Sequence, residues 1–362
     1  MKPGAHILLA LSGHGFGHLA QCAPVINALW QRIPALQLTV CSQLDERVIR
    51  RRLDQSFNYH AVETDPVLPM RSAWEVDVPA VCAAYADFHR KWDAGLAADR
   101  KLIDTVQPDL LLANIPWRLL LAARQAGVPG IALCSINWAA VYERYCNDGP
   151  ESGAIARQMW QAYRTADVFL RPEPALPMPE LDNTQAIGPI ARLGMADKSA
   201  LLAQLSLPAD SRLVLVALGG IPSELPLAKW PLHDNTVWLF PQHVNSERDD
   251  MLACNHLSVG FIDLLASCDA VLTKPGYGTY AEAVCNAVPI LGLERPDWPE
   301  TANMNNWAQR HGRLLEVSQA DFAAGNFAAA LQDLWQQPAP VPPQADGAGQ
   351  AAGVVAACLG IL

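Results

Sequence analysis

The stretch that decides the fold is DAVLTKPGYGTYAEAVCNAVPILGLERPDWPETANMNN, residues 269–306. Its pattern predicts a short apolar strand, a glycine-rich turn, the start of a helix and a second strand. A glycine turn before a helix suits phosphate, because backbone N–H groups are available, the helix dipole favours negative charge and glycine permits close approach. The stretch therefore predicts an α/β unit with an anion site at its turn.

The chain begins with the same arrangement, since the apolar run HILLAL (6–11) leads into SGHGFG (12–17) and then into helical periodicity over 19–30. Further apolar strands are predicted at 36–41, 109–113, 131–134, 212–218, 237–240 and 257–259. Helices are predicted at 44–53, 80–106, 117–125, 322–336 and 351–362, whereas 64–79 is Pro-rich and predicts a long loop. Strands that alternate with helices of this length indicate a mostly parallel sheet.

The length and composition indicate two domains. A chain of 362 residues that is 51% hydrophobic and 17% charged can fill two cores. Residues 171–192 are rich in proline at their start and predict the linker. We therefore expect domains at 1–175 and 176–345, and a last helix within 346–362 that could pack back on the first domain.

Charge and cysteine usage exclude several classes of protein. The net charge is −10, so nucleic acid is not an expected partner. The nine cysteines are scattered without any CxxC pair, so neither a disulfide framework nor a structural zinc site is expected. No signal peptide is recognisable, and the apolar run 110–121 is too broken to span a membrane. These features predict a soluble cytoplasmic protein.

The first glycine loop does not fit a dinucleotide site, because His18 stands where the third glycine would be and no acidic residue ends the second strand. The loop instead offers two imidazoles, those of His14 and His18. A helix N-terminus biases a histidine toward its neutral form, which can accept a proton. The alternatives are a polar turn with packing histidines, or a metal pair, for which no third ligand is visible.

The second glycine loop offers different chemistry. Thr279 could donate to a phosphate, and Glu282, expected in the first turn of the helix, could either cap it or accept two ribose hydroxyls. Glu300 and Asn303 follow the next strand, and Gly219 and Gly220 end another strand at the same carboxyl edge, where ligands bind in doubly wound sheets. The chain has no Walker A loop, nucleophile elbow or Asp-x-Asp, so a diphosphate would depend on N–H groups and helix dipoles.

At these residues the chain resembles the GT-B glycosyltransferases. The resemblance is carried by SGHGFGHLAQ, PDLLLANIPWRLLLAARQAGVPGIALCSINWAAVYE, LVALGGIP and the block that begins at residue 268, and it extends over residues 7–315. It is strongest to the glycosyltransferase-like domain that precedes the kinase in plant arabinokinases. It is more distant to the N-acetylglucosaminyltransferase that makes peptidoglycan lipid II.

The resemblance implies an α/β fold with two Rossmann-like, doubly wound domains that face each other across a cleft. It implies a nucleotide-sugar donor held by 176–345, a small-molecule or lipid-linked acceptor held by 1–175, and no metal or further cofactor; a homodimer is compatible with it. His18 then corresponds to the catalytic base, with His14 as the alternative, and Glu282 corresponds to the ribose-binding carboxylate. The implied donor-binding residues are Gly15, Gly17, Gly219, Gly220, Lys274, Pro275, Gly276, Tyr277, Gly278, Thr279, Glu282, Glu300 and Asn303, and the acceptor-side candidates are Asn137 and Trp138.

The function that follows is a metal-independent, inverting transfer of a sugar from a UDP- or dTDP-sugar to an acceptor nucleophile. Two other functions use the same architecture. A non-hydrolysing epimerase would convert the donor without an acceptor, and a non-catalytic module would bind the donor and form no product. Fold resemblance does not decide among them, because function resides in the site.

Overall fold

The computed structural model describes residues 4–219, 224–233 and 235–361. The chain forms two compact units. The first contains Met1–Arg71, Glu75–Ile190 and Asp346–Leu362, and the second contains Ser72–Trp74 and Ala191–Ala345. The first unit extends past residue 175 because its sheet takes a strand from the segment whose proline content predicts a linker.

The first unit is built on a parallel sheet of seven strands in the order β3-β2-β1-β4-β5-β6-β7. Its elements are β1 (His6–Leu11), α1 (Gly17–Arg32), β2 (Gln37–Ser42), α2 (Glu46–Arg50), β3 (Asn58–Ala61), α3 (Val78–Arg90), α4 (Trp92–Val106), β4 (Leu110–Asn114), α5 (Trp117–Ala126), β5 (Gly130–Leu133), α6 (Trp138–Tyr145), α7 (Ser152–Tyr163), β6 (Val168–Pro172) and β7 (Thr184–Ile187). The central strands are continuous apolar runs because helices cover both faces of a doubly wound sheet.

The second unit has a parallel sheet of six strands in the order β10-β9-β8-β11-β12-β13. Its elements are α8 (Lys198–Gln204), β8 (Arg212–Ala217), β9 (Thr236–Phe240), β10 (Met251–Ala253), α9 (Phe261–Ala266), β11 (Ala270–Thr273), α10 (Tyr277–Cys285), β12 (Ile290–Leu293), α11 (Thr301–His311), β13 (Leu314–Val317), α12 (Gln319–Ala324) and α13 (Ala328–Gln336). The last helix, α14 (Gly347–Cys358), belongs to the first unit and packs against α1.

The structure corrects several predicted elements. Residues 257–259 form no strand, and β10 lies earlier, at Met251–Ala253. The helix predicted over 80–106 is two helices, which meet at Lys91. The helix predicted over 322–336 is also two, because Gly325 adopts a φ of 81° and ends α12. Periodicity alone misses such breaks, since the apolar spacing continues across them.

One disulfide joins Cys82 in α3 to Cys146, the residue that follows α6. The sequence predicted no disulfide framework, and it did not indicate this single pair, whose Cα atoms lie 5.5 Å apart although 64 positions separate them in the chain. The pair was not foreseeable, because the spacing of cysteines in the sequence does not give their distance in the folded chain. In the part of the chain that the structure describes, no helix is both long enough and apolar enough to cross a membrane.

Each sheet contains a point where the strand order reverses: between β1 and β4 in the first unit, and between β8 and β11 in the second. The loops after these strands diverge, and ligands of doubly wound proteins bind in the crevice that results. At the first of these points, a hydrogen bond connects the ends of the two strands, since the Ser12 N–H donates to the Asn114 carbonyl at 2.8 Å. In the second, the Thr273 hydroxyl donates to the Ala217 carbonyl at 2.6 Å. We call these the first and second switch points.

Candidate functional site

The loop at the first switch point leads from β1 into α1. Gly15 has a φ of 69°, a left-handed conformation that glycine adopts without strain, and its N–H donates to the Gly13 carbonyl at 3.1 Å. Gly15 and Gly17 are exposed, and no described atom lies within 4 Å of where a Cβ would stand on either. Helix α1 begins at Gly17 with no capping hydrogen bond from a side chain of the described residues. Its first N–H groups are thus accessible to a ligand.

His18, in the first turn of α1, is buried and hydrogen-bonded on one side. Its Nδ1 lies 2.6 Å from Oδ1 of Asn114, the last residue of β4. The Cys134 sulfur lies 3.8 Å from the same Nδ1. In the described part of the chain the other ring nitrogen, Nε2, has no hydrogen-bond partner.

A buried amide network determines which nitrogen of His18 carries the proton. The Ser135 backbone N–H can only donate, and it donates to Oε1 of Gln21 at 3.3 Å. That oxygen also accepts from Nδ2 of Asn114 at 3.3 Å, so the Asn114 oxygen must face His18. Because this oxygen can only accept, Nδ1 of His18 is the protonated nitrogen and Nε2 presents its lone pair.

The electrostatics of the buried site keep His18 neutral. Burial lowers the pKa of His18 from 6.5 to about 4, against the hydrogen bond to Asn114, which raises it. Asn114 orients the imidazole without supplying a negative charge. His18 is therefore a proton acceptor of defined tautomer at neutral pH.

His14 packs close to His18, and both pack on Trp138. The ring centroids of His14 and His18 lie 6.4 Å apart, and the Trp138 centroid lies 5.5 Å from the first and 5.3 Å from the second. Trp138 is 0% exposed, and its indole N–H donates to Oδ2 of Asp65 at 2.7 Å. The two histidines predicted from the loop are thus brought together on one aromatic surface.

The two residues predicted to contact an acceptor are buried in this structure. The side chain of Asn137 caps α6 by accepting from the Ala140 N–H at 2.8 Å. Its Nδ2 is buried and has no hydrogen-bond partner among the described residues, so both N–H donors of the amide are unused. The acceptor role of Asn137 and Trp138 stays a prediction.

The second switch point carries a cation where the first carries a base. Gly219 follows β8 with a φ of 94°, and a Cβ there would lie 3.6 Å from Cε of Lys274 and 3.9 Å from its Nζ. Lys274 follows β11, and among residues 4–219, 224–233 and 235–361 its ammonium has no hydrogen-bond partner. Gly220, predicted with Gly219, lies outside the described residues.

Burial and a neighbouring cation lower the pKa of Lys274 to about 8. Burial is the larger cause, Arg295 adds to it, and the Glu300 carboxylate opposes it. The ammonium therefore stays mostly charged at pH 7 while it is partly desolvated and, among the described residues, has no counter-ion in hydrogen-bond contact. Such a group gains much from a bound anion.

Helix α10 begins beside this lysine. Its N-cap, Gly276, is extended, and no side chain of the described residues caps it. Pro275 and Tyr277 are buried, whereas Gly278 and Thr279 are half-buried in the first turn. An uncapped helix N-terminus next to a half-buried ammonium is an arrangement suited to a phosphate group.

Glu282 lies in the second turn of α10, so the capping alternative for it is wrong. Its Oε1 instead accepts a hydrogen bond from Nε of Arg192 at 3.0 Å, and the residue is 7% exposed. The ion pair holds the carboxylate in one orientation. Its contact with a ribose stays a prediction.

The loop between β12 and α11 completes the second switch point. The Arg295 guanidinium lies over the Trp298 ring at 4.2 Å, and its Nε donates to the Trp74 carbonyl at 3.1 Å. The Trp298 indole N–H donates to Oε2 of Glu300 at 3.1 Å, and Glu300 is 4% exposed. Asn303 is half-buried in the first turn of α11.

A cavity of about 490 Å³ opens in the second unit beside this loop. Its wall includes Leu293, the last residue of β12, and the rings of Trp74 and Phe322, whose centroids lie 6.1 Å apart. The volume is within the range of small-molecule pockets. The Trp74 carbonyl that bonds to Arg295 links this aromatic wall to the surroundings of Lys274.

Four residues that shape these sites were not predicted from the sequence: Asn114, Gln21, Asp65 and Arg295. Asn114 carried a usable signal, because it is a polar residue at the end of an apolar strand that neighbours β1. Asp65 follows β3, a strand that the sequence analysis did not predict, so its position near the first switch point was not foreseeable. Gln21 lies among apolar residues of α1 and gives no signal of its own.

The structure thus defines the class of fold: two Rossmann-like units with parallel, doubly wound sheets. Comparison with known proteins identifies this architecture as the GT-B fold of glycosyltransferases. A calicheamicin glycosyltransferase superimposes with a TM-score of 0.66 at 15% identity, over 99% of this chain and 99% of that one. At such identity the likeness establishes the fold alone.

Two relatives agree in sequence with most of the chain. An uncharacterized glycosyltransferase of Methanopyrus kandleri is 23% identical over 299 residues, which are 78% of this chain and 85% of that protein. The L-arabinokinase of Arabidopsis thaliana is 21% identical over 353 residues, which are 90% of this chain but only 32% of the arabinokinase. No protein-family model matches the chain.

Proposed function

We propose that this protein is a glycosyltransferase that moves a sugar from a nucleotide-sugar, of the UDP or dTDP type, to an acceptor nucleophile with inversion. His18 accepts the acceptor proton on Nε2, the acceptor oxygen forms a bond to the anomeric carbon, and the bond from that carbon to the diphosphate breaks. The electron pair of the broken bond leaves with the nucleoside diphosphate.

The observation that carries this proposal is the state of His18. A general base must have a lone pair available and must be neutral at the working pH. His18 has its Nδ1 bonded to Asn114 at 2.6 Å and a pKa lowered to about 4, so both requirements are met. Burial that left both nitrogens bonded would have indicated a structural histidine instead.

The second switch point supports the part of the proposal that concerns the donor. The leaving diphosphate gains negative charge, and Lys274 together with the N-terminus of α10 offers positive charge to neutralise it. Glu282 offers a carboxylate to the ribose hydroxyls, in the orientation that Arg192 sets. We propose that these groups neutralise the diphosphate without a divalent metal ion.

The decisive experiment is donor binding followed by product analysis. Calorimetry with UDP-, dTDP- and GDP-sugars identifies the donor, and the preferred donor is then incubated with and without an acceptor panel. Transfer that requires an acceptor and persists in EDTA supports the proposal. Conversion of the donor sugar to its epimer without an acceptor identifies an epimerase, and binding without any product identifies a non-catalytic module.

The stereochemistry is a separate outcome. The anomeric configuration of the product, read by proton NMR before mutarotation, is expected to be opposite to that of the donor, because a single base supports one direct displacement. Retention would contradict the role of His18 as the base of a single displacement while leaving glycosyl transfer itself intact.

A further inference from the structure

Asp65 is a buried carboxylate that the proposed reaction does not use. It lies in the loop after β3, is 0% exposed, and accepts from the Trp138 indole N–H at 2.7 Å and from the Thr64 hydroxyl at 2.9 Å. It also accepts hydrogen bonds from the Ser12 side chain and the Gly13 backbone N–H. Every one of these partners donates, which is the environment of an oriented acceptor.

These partners connect Asp65 to the histidine loop by two routes. Ser12 and Gly13 begin the loop that carries His14 and leads into His18, so the carboxylate anchors the backbone where the loop leaves β1. Trp138 is the surface on which both imidazoles pack, with centroids 5.5 Å and 5.3 Å away. The Trp138 backbone N–H donates to the Tyr163 hydroxyl at 3.1 Å, so the residue is held at both ends.

From this geometry we propose that Asp65 is a positioning residue, which sets the orientation of the two imidazoles by holding both the indole of Trp138 and the start of the glycine loop. The proposal rests on the proposed function where it concerns turnover. Asp65 acts through Trp138 and the loop and touches neither imidazole in any described contact. Its effect is therefore on geometry, and an error of about 1 Å in the position of a base can cost 100-fold in rate.

The test variant is Asp65→Asn, because its amide NH₂ would face one of the donors that the carboxylate now accepts from. Asp77→Asn is the matched control, since Asp77 lies in the same loop and caps α3, a role that asparagine also performs. Two-dimensional NMR of the imidazole nitrogens of His14 and His18 reports their environment directly. Steady-state kinetics separates kcat from the KM of the donor.

For Asp65→Asn we expect shifted imidazole resonances and a kcat lower by about 10- to 100-fold, with the KM of the donor within about twofold. Asp77→Asn is expected to change neither. Trp138→Phe, which keeps a ring but removes the indole N–H, should shift the same resonances, and it decides the question if Asp65→Asn does not fold.

Unchanged imidazole resonances in both variants would overturn the proposal, whatever happens to turnover. Shifted resonances with an unchanged kcat would overturn the catalytic consequence and leave a structural role. If no donor and acceptor give turnover in the unmodified protein, the proposed function fails, but the NMR measurement still answers whether Asp65 orients the histidines.

Discussion

The two switch points share a backbone arrangement and differ in the chemistry that they carry. The first has a glycine of positive φ, Gly15, between β1 and the uncapped helix α1. The second divides these features between two strands, since Gly219, with a positive φ, follows β8 and the helix α10, which no side chain of the described residues caps, follows β11. The first places a neutral histidine beside amides, and the second places a lysine near an arginine and one carboxylate, that of Glu300. The fold therefore supplies accessible N–H groups twice, and the side chains decide whether a proton or an anion is handled.

Burial lowers the pKa of both His18 and Lys274, but the consequences for their charge are opposite. It lowers the pKa of His18 from 6.5 to about 4 and is the main reason that the pKa of Lys274 falls from 10.5 to about 8. At pH 7 the histidine is therefore neutral and the lysine is mostly charged. The same desolvation produces a proton acceptor in one unit and an under-solvated cation in the other, because the two groups start from different ordinary values.

The largest effect on turnover is expected from the first switch point. His18→Ala should lower kcat by about 100- to 10,000-fold, the contribution of a general base, and should leave the donor dissociation constant within about twofold. His14→Ala is the matched comparison. It should lower kcat less than His18→Ala does, because the buried amide network orients His18 and leaves the lone pair of its Nε2 available. Single-turnover kinetics and calorimetry measure the two quantities, and equal activity would remove His18 from the mechanism.

The second switch point is tested by Lys274→Met, which removes the charge and keeps an apolar chain. We expect donor affinity to fall about 10- to 100-fold, the size of a charge-assisted contact, and affinity for the unphosphorylated nucleoside to stay unchanged. Lys101→Met removes an exposed lysine of the first unit and is the control. Equal losses for the nucleoside and for the donor would contradict a contact between Lys274 and the phosphates.

Because the pKa of Lys274 is lowered to about 8, donor binding should depend on pH. Above about pH 8 the free protein loses the ammonium proton, and a bound diphosphate restores it. Donor binding at pH 8.5 should therefore take up a proton and weaken as pH rises. Calorimetry in buffers of different ionisation enthalpy measures this uptake, which should vanish in Lys274→Met.

A smaller effect is expected at Glu282, which the pair with Arg192 holds in place. Glu282→Gln should weaken donor binding by about fivefold to tenfold, the net value of one ordinary hydrogen bond, because the amide keeps one of the two acceptor oxygens. The 2′-deoxy donor should bind the unmodified protein more weakly than the ribose donor, and the variant should discriminate less between them. Unaltered discrimination would place the ribose elsewhere.

Asn114→Asp makes the first switch point more like the second by adding a charge. A carboxylate beside Nδ1 raises the pKa of His18, so the acid limb of kcat/KM should move upward by about 1–2 pH units from its position near pH 4. The limb moves upward because His18 acts as a base. Activity is lost where His18 becomes protonated, and a raised pKa moves that loss to higher pH. A pH profile of both proteins checks it, and an unmoved limb would show that another group titrates.

The smallest effect on turnover is expected from the disulfide between Cys82 and Cys146. Cys82→Ser should lower the free energy of unfolding of the first unit by about 2–4 kcal/mol, because the closed loop constrains the unfolded chain. Turnover should stay within about twofold, since α3 and the end of α6 carry no group of the proposed reaction. Thermal unfolding with and without reductant measures the loss of stability. A larger loss of turnover would show that α6 contributes to catalysis.

The sequence predicted the parts of the fold that periodicity records. The first strand was predicted with its observed bounds, and the alternation of strands and helices indicated a mostly parallel sheet, of which the structure contains two. The predictions failed where tertiary context overrides local pattern, as at Gly325, where a left-handed glycine divides one apolar periodicity into two helices, and at β10. They also missed the proximity of Cys82 and Cys146, which depends on how α3 and α6 pack.

For the candidate sites the sequence determined which residues stand in the loops that follow the strands, because strand, glycine turn and helix are adjacent in the chain. His18, Gly219 and Lys274 are in that group. Only the tertiary structure decided what surrounds them, because Asn114, Arg192, Asp65 and Arg295 reach these loops from elements that are distant in sequence. Tautomer, charge state and orientation follow from those distant neighbours, since burial and hydrogen bonding act between atoms that are close in space and not along the chain.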